Sequence, residues 1–380
     1  MMVFALLLVI SIYALANFYI VKRIYPAVNF IENPIYSKGF LAIYIILAII
    51  LVGRFLCSFM NINKTIKKTI NIISSYFMGI FVYMFLFLVI GDILVLISIL
   101  TRITSLNYIN EIRPFISIIS ILIALILSII AIFNAKETNE VFYSISTNKE
   151  LKEKIKITFI SDVHLGAVGS EKRLKTIVEK INSQNSDVVL IAGDFFDTDF
   201  STINNPDKAI ELLKNIKSKY GVYACLGNHD AGKTFDEMND FLKKSNIRLL
   251  NDEFVEIDNK FIVFGRLDAS PIGVQGNLKR NLLKNLNFNN KNKLPVIVME
   301  HNPMRINEYN GDIDLIVAGH THKGQIWPGN IITSKMYAVD YGYYRKDEDS
   351  PQVVVSSGAG IWGMPMRLGS KCEIVNINLK

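Results

Sequence analysis

Four long apolar stretches open the chain, and a different rhythm follows them. Residues 1–21, 69–91 and 114–135 carry no charge, and residues 39–60 carry only Arg54. Each is long enough for a helix that crosses a hydrocarbon layer, which needs about 20 apolar residues; core helices of a soluble bundle show uncharged runs of only about 10–14. The chain therefore reads as an integral membrane protein whose residues 1–135 form an all-α transmembrane anchor of about four helices. Residues 1–21 lack the basic start of a cleaved signal sequence, so they are expected to stay as a span.

Residues 136–154 turn polar and read as a linker with a mild strand character. From residue 155 short apolar runs alternate with amphipathic stretches. Strands are predicted at 155–160, 188–192, 222–226, 261–264, 296–299, 315–318 and 353–356, and helices at 171–182, 208–218 and 236–244. In the first of these helices Leu174, Ile177, Val178 and Ile181 fall on one face. Such alternation predicts an α/β domain over residues 155–380. The Asn/Lys-rich stretch 281–293 reads as a solvated helix-loop surface.

Charge separates the two parts. Of the formal +7, residues 1–135 supply +6, from nine Lys/Arg against three acids, and the remainder supplies +1. The near-neutral second part has no basic stripe, which argues against a nucleic-acid partner. The bilayer itself is the expected partner of the anchor, and the cell membrane the expected location. The side on which the second part lies stays open. Seven basic residues (Lys64, Lys67, Lys68, Lys136, Lys149, Lys152, Lys154) share its side against five on the other, but Lys22-Arg23 after an uncharged start argues the reverse. Cys57, Cys225 and Cys372 imply no disulfide framework. Arg54 and Asp92 admit two readings, a pair at membrane depth or, preferred, markers of span ends.

All five histidines fall beyond residue 160, each beside Asp, Asn or Gly: Asp162-Val-His164, Gly227-Asn-His-Asp230, His301 and Gly319-His-Thr-His322. Imidazole and carboxylate together make first-row metal sites. Asp162, Asp194, Asn228, His301 and His320 each follow a predicted strand, where ligands of α/β sheets gather. A pair of divalent ions needs a bridging carboxylate and several N/O ligands. Asp162 and His164 can reach one metal, Asp194 can bridge through its two oxygens, and His320 and His322 could serve one metal each, with Asn228 and His301 completing the second site. A neutral Asn in place of a third carboxylate leaves the centre cationic and ready for a phosphate anion.

Taken in order, Asp162-x-His164, Gly193-Asp194, Gly227-Asn228-His229-Asp230, His301 and Gly319-His320-Thr321-His322 resemble the five-block signature of the calcineurin-like metallophosphoesterases. The resemblance covers residues 155–380 and implies a four-layer α/β/β/α sandwich with a dinuclear centre of Mn, Fe or Zn. It implies one metal on Asp162, His164, Asp194 and His322, and the other on Asp194, Asn228, His301 and His320. His229 would contact phosphate or protonate the leaving oxygen, with Asp230 orienting it, while a metal-bridging hydroxide attacks phosphorus. Asn302-Pro303, Gly324-Gln325 and the 357–360 loop before Pro365 and Arg367 resemble the membrane-associated bacterial branch, which includes lipid-precursor pyrophosphatases. Lys323 departs from that branch, which has Gly there, and either contacts phosphate or points to solvent. Arg367 is a candidate phosphate contact. Asp197 and Asp199 read as loop residues behind the ligands, and Ile361, Trp362, Met364, Pro365 and Met366 as an apolar cluster that packs on the sandwich or meets lipid.

The expectation is thus a membrane-anchored metal-dependent phosphoric ester hydrolase that cleaves a phosphoester or pyrophosphate, with a lipid-linked substrate as the finer reading. A catalytically weak membrane scaffold or sensor that keeps the metal site is the alternative. Transport by the helices is disfavoured because Arg54 and Asp92 alone offer little for a substrate path.

Overall fold

Apolar side chains on every face leave the first four segments no amphipathic alternative, and they are helices: α1 (Met2–Asn29), α2 (Pro34–Cys57), α3 (Lys64–Leu100) and α4 (Leu106–Asn134). The computed structural model describes every residue except 1, 30–33, 58–59, 61, 152, 169 and 287–289. Met1 of the first predicted span, Glu32 and Lys152 of the charge counts, and 287–289 of the Asn/Lys-rich stretch lie outside the described residues. All four helices are long and apolar enough to cross a membrane. Leu7, Phe18, Ile43, Phe55, Leu94 and Ile126 point outward, as they do on helices that are hydrophobic all round.

Asp92, read from sequence as the marker of a span end, lies within a longer helix. α3 has 37 residues, about 55 Å at helical rise, and continues past Asp92 to Leu100. Asp92 is paired within the helices: Arg23 Nε donates to its Oδ2 at 2.9 Å and Tyr19 Oη donates at 2.7 Å. Arg54 donates instead to Ser75 Oγ at 3.0 Å. Tyr44 Oη to Asn17 Oδ1, at 2.8 Å, adds a polar tie between α1 and α2.

The chain divides into two compact units, Met1–Ile132 and Phe133–Lys380. In the second, the elements run β1 (Thr138–Ile145), β2 (Ile155–Ile160), α5 (Ser170–Ser183), β3 (Val188–Ala192), α6 (Pro206–Lys214), β4 (Val222–Cys225), α7 (Phe235–Lys244) and β5 (Ile247–Leu249). They continue with β6 (Glu253–Ile257), β7 (Phe261–Gly265), β8 (Val296–Met299), β9 (Leu315–Ala318), α8 (Gly329–Met336), β10 (Gly342–Tyr344), β11 (Gln352–Val355) and β12 (Cys372–Leu379). Two six-stranded sheets result, ordered β1-β12-β2-β3-β4-β5 and β10-β11-β9-β8-β7-β6. β2 to β5 are mutually parallel, as are β7, β8, β9 and β11.

Period-2 alternation makes the layers. In β3, Val188, Leu190 and Ala192 enter the core between the sheets with Val263, Ile297 and Val317. Val189 and Ile191 face the other way, against Ile177 and Ile181 of α5, Leu213 of α6 and Phe241 of α7. The outer face of the second sheet is covered by Ile306, Tyr309, Ile313 and Val339, with Ile306 in the 3-10 turn Pro303–Glu308. α8 has no buried residue. The fourth layer of the expected sandwich is therefore built from short turns and loops.

The expected linker 136–154 is also corrected. It contains β1, which pairs in parallel with β12 from Thr138↔Cys372 to Ile145↔Leu379. The folded unit accordingly begins at Phe133. Its half-exposed, polar sequence disguised an edge strand as connecting chain.

Candidate metal centre

Every candidate ligand leaves the carboxyl end of a strand. Asp162 and His164 follow β2, Asp194 follows β3, Asn228 follows β4, His301 follows β8, and His320 and His322 follow β9. Five of these seven (Asp162, His164, Asp194, His320, His322) hold left-handed φ angles between 47° and 71°. Backbone this strained persists only where surrounding structure fixes it, and it clusters at functional sites. Two glycines allow the loops to close: a Cβ at Gly319 would overlap the Asp162 carboxylate, and one at Gly227 the Asp194 carboxylate.

The side chains meet in two adjoining groups. In the first, His322 Nε2 lies 3.4 Å from Asp162 Oδ1 and 3.1 Å from His164 Nε2. In the second, His320 Nδ1 lies 2.9 Å from Asn228 Oδ1 and 3.2 Å from His301 Nε2, which is itself 3.2 Å from that Asn oxygen. Asp194 Oδ2 faces both groups, 3.2 Å from His301 Nε2 and 3.8 Å from His164 Nε2. Its Oδ1 is taken by the His229 amide at 2.7 Å. Of the two oxygens expected to bridge, Oδ2 is the one that faces both groups.

These spacings suit divalent ions. Donors bound at ~2.1 Å stand ~3.0–3.4 Å apart in tetrahedral or octahedral shells. The tautomer of His301 fits as well, because its Nδ1–H donates to Ala192 O at 2.9 Å and leaves Nε2 its lone pair. Ligand atoms close enough together to share an ion come in three groups, Asp162, His164 and His322; Asp194, His301 and His320; and His164, Asp197 and His229.

Electrostatics favour the ligand form at three of the four histidines. Burial holds His164 down at about 3 and His320 at about 4. Burial, then the Arg367 charge, keeps His322 well below its usual value. Neutral rings are the ligand-competent form. Burial raises Asp162 to about 6. For Asp194 burial also acts upward, but the His301 charge and hydrogen bond outweigh it and hold the carboxyl low. His301 shows the converse: burial lowers it, and the Asp194 charge carries it well above its ordinary range.

His229 stands beside the first group, its ring 5.1 Å from that of His164. The expectation that Asp230 orients it is corrected. Asp230 is buried and accepts from the amides of Phe196 and Gly227, both at 2.9 Å, so it ties the Asp194 loop to the Asn228 loop. Burial, then the Asp194 charge, pushes its carboxyl up to about 7. The partner of the ring is Thr198, whose Oγ1 lies 2.7 Å from His229 Nδ1.

Arg367 is no phosphate contact in this geometry. It is fully buried behind His322, donating to its carbonyl at 2.9 Å and to Gly360 O. Lys323 places its Nζ 4.0 Å from the centre of the Tyr341 ring. Asp197 Oδ1 lies 4.0 Å from His164 Nδ1, as a loop carboxylate behind a ligand would. Of the 361–366 cluster, Ile361 and Met366 are buried, whereas Trp362 is exposed. Sequence reading missed Thr198 and the Trp362–Gln325 contact, because partners 31 and 37 positions apart leave no local signal.

Comparison with known proteins matches residues 155–324 to the calcineurin-like phosphoesterase model. A metallophosphoesterase of Aquifex aeolicus is 31% identical over 243 residues, 63% of this chain and 90% of that one. The chain belongs to the calcineurin-like phosphoesterase family. As a calcineurin-like phosphoesterase it is a metal-dependent hydrolase of phosphoesters. An uncharacterised metallophosphoesterase of Campylobacter jejuni is 28% identical over 381 residues, 98% of this chain and 97% of its own length. The UDP-2,3-diacylglucosamine pyrophosphatase LpxG of Chlamydia trachomatis is 27% identical over 262 residues, 55% of this chain and 78% of that one.

Proposed function

We propose that this calcineurin-like phosphoesterase is a membrane-anchored, dinuclear-metal phosphohydrolase that cleaves a phosphoester or pyrophosphate bond in a lipid-linked substrate. The observation that carries the reading is Asp194 Oδ2, set within 4 Å of imidazole nitrogens from both donor groups. Asp162, His164, Asp194 and His322 would hold one Mn, Fe or Zn ion, and Asp194, Asn228, His301 and His320 the other. When bound, such a pair supplies an activated water and positive charge against a phosphoryl group. The chain's own part is to orient the phosphoryl over the two groups and to present His229, braced by Thr198, to a phosphoryl or leaving-group oxygen. The lipid-linked element draws on the four apolar helices and on the likeness to a pyrophosphatase of a diacylated sugar nucleotide.

The test is a screen of Mn-loaded full-length protein against phospholipids, nucleotide-sugar lipids and soluble phosphodiesters, with Asp194→Asn as control. Hydrolysis that falls at least about a hundredfold in the control supports the reading. A control as fast as wild type ends it.

A further inference from the structure

Trp362 sits where an exposed indole has no structural need to be. Its neighbours Ile361 and Met366 are 9% and 0% exposed, yet Trp362 is 45% exposed. Its backbone is nonetheless rigidly held. Gln325, itself 5% exposed, donates from Nε2 to Trp362 O at 2.7 Å and to Met364 O at 3.0 Å, and its Oε1 accepts from Trp362 N at 2.9 Å. The Gln325 carbonyl in turn accepts from Ser370 Oγ at 2.8 Å and from Leu368 N at 3.1 Å. The strap that carries the indole is thus pinned to the loop that carries His320 and His322.

The pinned ring borders the reaction centre. Its centroid lies 5.8 Å from that of His229, whose ring also lies 5.1 Å from that of His164. A phosphoryl seated over the two donor groups with one oxygen toward His229 directs the group on that oxygen past the indole. An aromatic face carried on backbone that is already held binds a flat π-ring at reduced conformational cost, and a base or aryl ring gains more from it than an aliphatic group of equal bulk.

We infer that Trp362 is the stacking platform for the leaving group, and that the site takes substrates whose leaving group carries a planar π-ring, either a nucleobase or an aryl ring. The inference rests on the phosphohydrolase reading and adds the class of substrate.

The experiment uses Mn-loaded full-length protein and three phosphonates that share a head group: phenyl-, cyclohexyl- and methylphosphonate, each as inhibitor of bis(p-nitrophenyl) phosphate hydrolysis. The phenyl compound should bind about three- to tenfold more tightly than the cyclohexyl one. That margin should vanish in Trp362→Leu and survive largely in Trp362→Phe. Uridine 5′-monophosphate against ribose 5-phosphate makes the second pair: a margin lost in Trp362→Leu assigns the ring to a nucleobase, and no margin restricts the class to aryl groups. The chain has only two tryptophans, so Trp327→Phe leaves Trp362 as the sole indole emitter, and phenylphosphonate should quench it saturably. Equal phenyl and cyclohexyl affinity, inhibition by neither, or a phenyl margin untouched in Trp362→Leu overturns the platform while hydrolysis keeps the broader reading. Saturable quenching without hydrolysis of any ester does the reverse.

Discussion

Asp194 divides its carboxylate: Oδ1 holds the His229 amide, and Oδ2 is left to the two imidazole groups. Without an ion, the partner of Oδ2 is a protonated His301, because the Asp194 charge outweighs burial and raises that imidazole. A metal must displace that proton. Binding therefore strengthens as pH rises through the range below the raised His301 value, by about tenfold per unit for one exchanged proton. Calorimetric titration with Mn at several pH values, in buffers of different ionisation heat, checks both slope and proton count; a flat profile contradicts it. Asp230 plays a different part from its neighbour. Asp230→Ala strips two buried amides of their acceptor, at ~1–3 kcal/mol each, so it should lower the melting temperature and the metal content together. An Asp230→Ala protein that melts normally and holds its metal, yet turns over slowly, would restore the role expected from sequence.

Edge strand β1 shows what a single element does for the sheet. It covers the whole length of β12, eight residue pairs in register. A chain that starts at Ile155 lacks it and exposes β12 as a bare edge, the usual route to edge-to-edge association. We expect a chain beginning at Phe133 to be monodisperse by light scattering and one beginning at Ile155 to aggregate. Equal behaviour of the two would show that β1 is dispensable. The contrast also marks what sequence could convey. β3, β8 and β9 were legible to the residue because strands buried on both faces are continuous apolar runs. β1 was not, since an edge strand half in water has a mixed pattern, and α6 stops at Lys214, short of the 218 expected, where Asn215 takes the C-cap. The nine candidate site residues could be picked out because each stands just past a predicted strand, though the role expected of Asp230 was not the one its contacts show. Thr198 and the Gln325–Trp362 contact were silent, because they depend on which loops the fold brings side by side.

For the whole molecule, the two units call for separate assays. If the helices serve to bring the site to lipid-borne substrate, residues 133–380 alone should hydrolyse a water-soluble diester at about the full-length rate. They should lag by at least about tenfold on substrate held in vesicles, since tethering raises local concentration. Equal rates on vesicles would remove the reason for the anchor. Within the helical unit, Arg23→Ala and Asp92→Ala should each reduce folded protein in membranes, and the double variant should lose less than the sum of the two. Strict additivity would mean that the contact contributes nothing.

That contact also constrains the order of synthesis. Arg23 leaves the ribosome nearly seventy residues ahead of Asp92, the separation of their hydrogen bond being 69. Until α3 arrives, the Arg23 guanidinium lacks its Asp92 acceptor, and an unpaired Arg in a membrane helix raises the cost of insertion, by ~2.5–3.5 kcal/mol at the helix centre and less toward its ends. α1 is thus better served by lingering at the exit of the insertion machinery, or at the headgroup level, than by partitioning early. Its commitment to the bilayer is timed by a residue that lies two helices further along the chain.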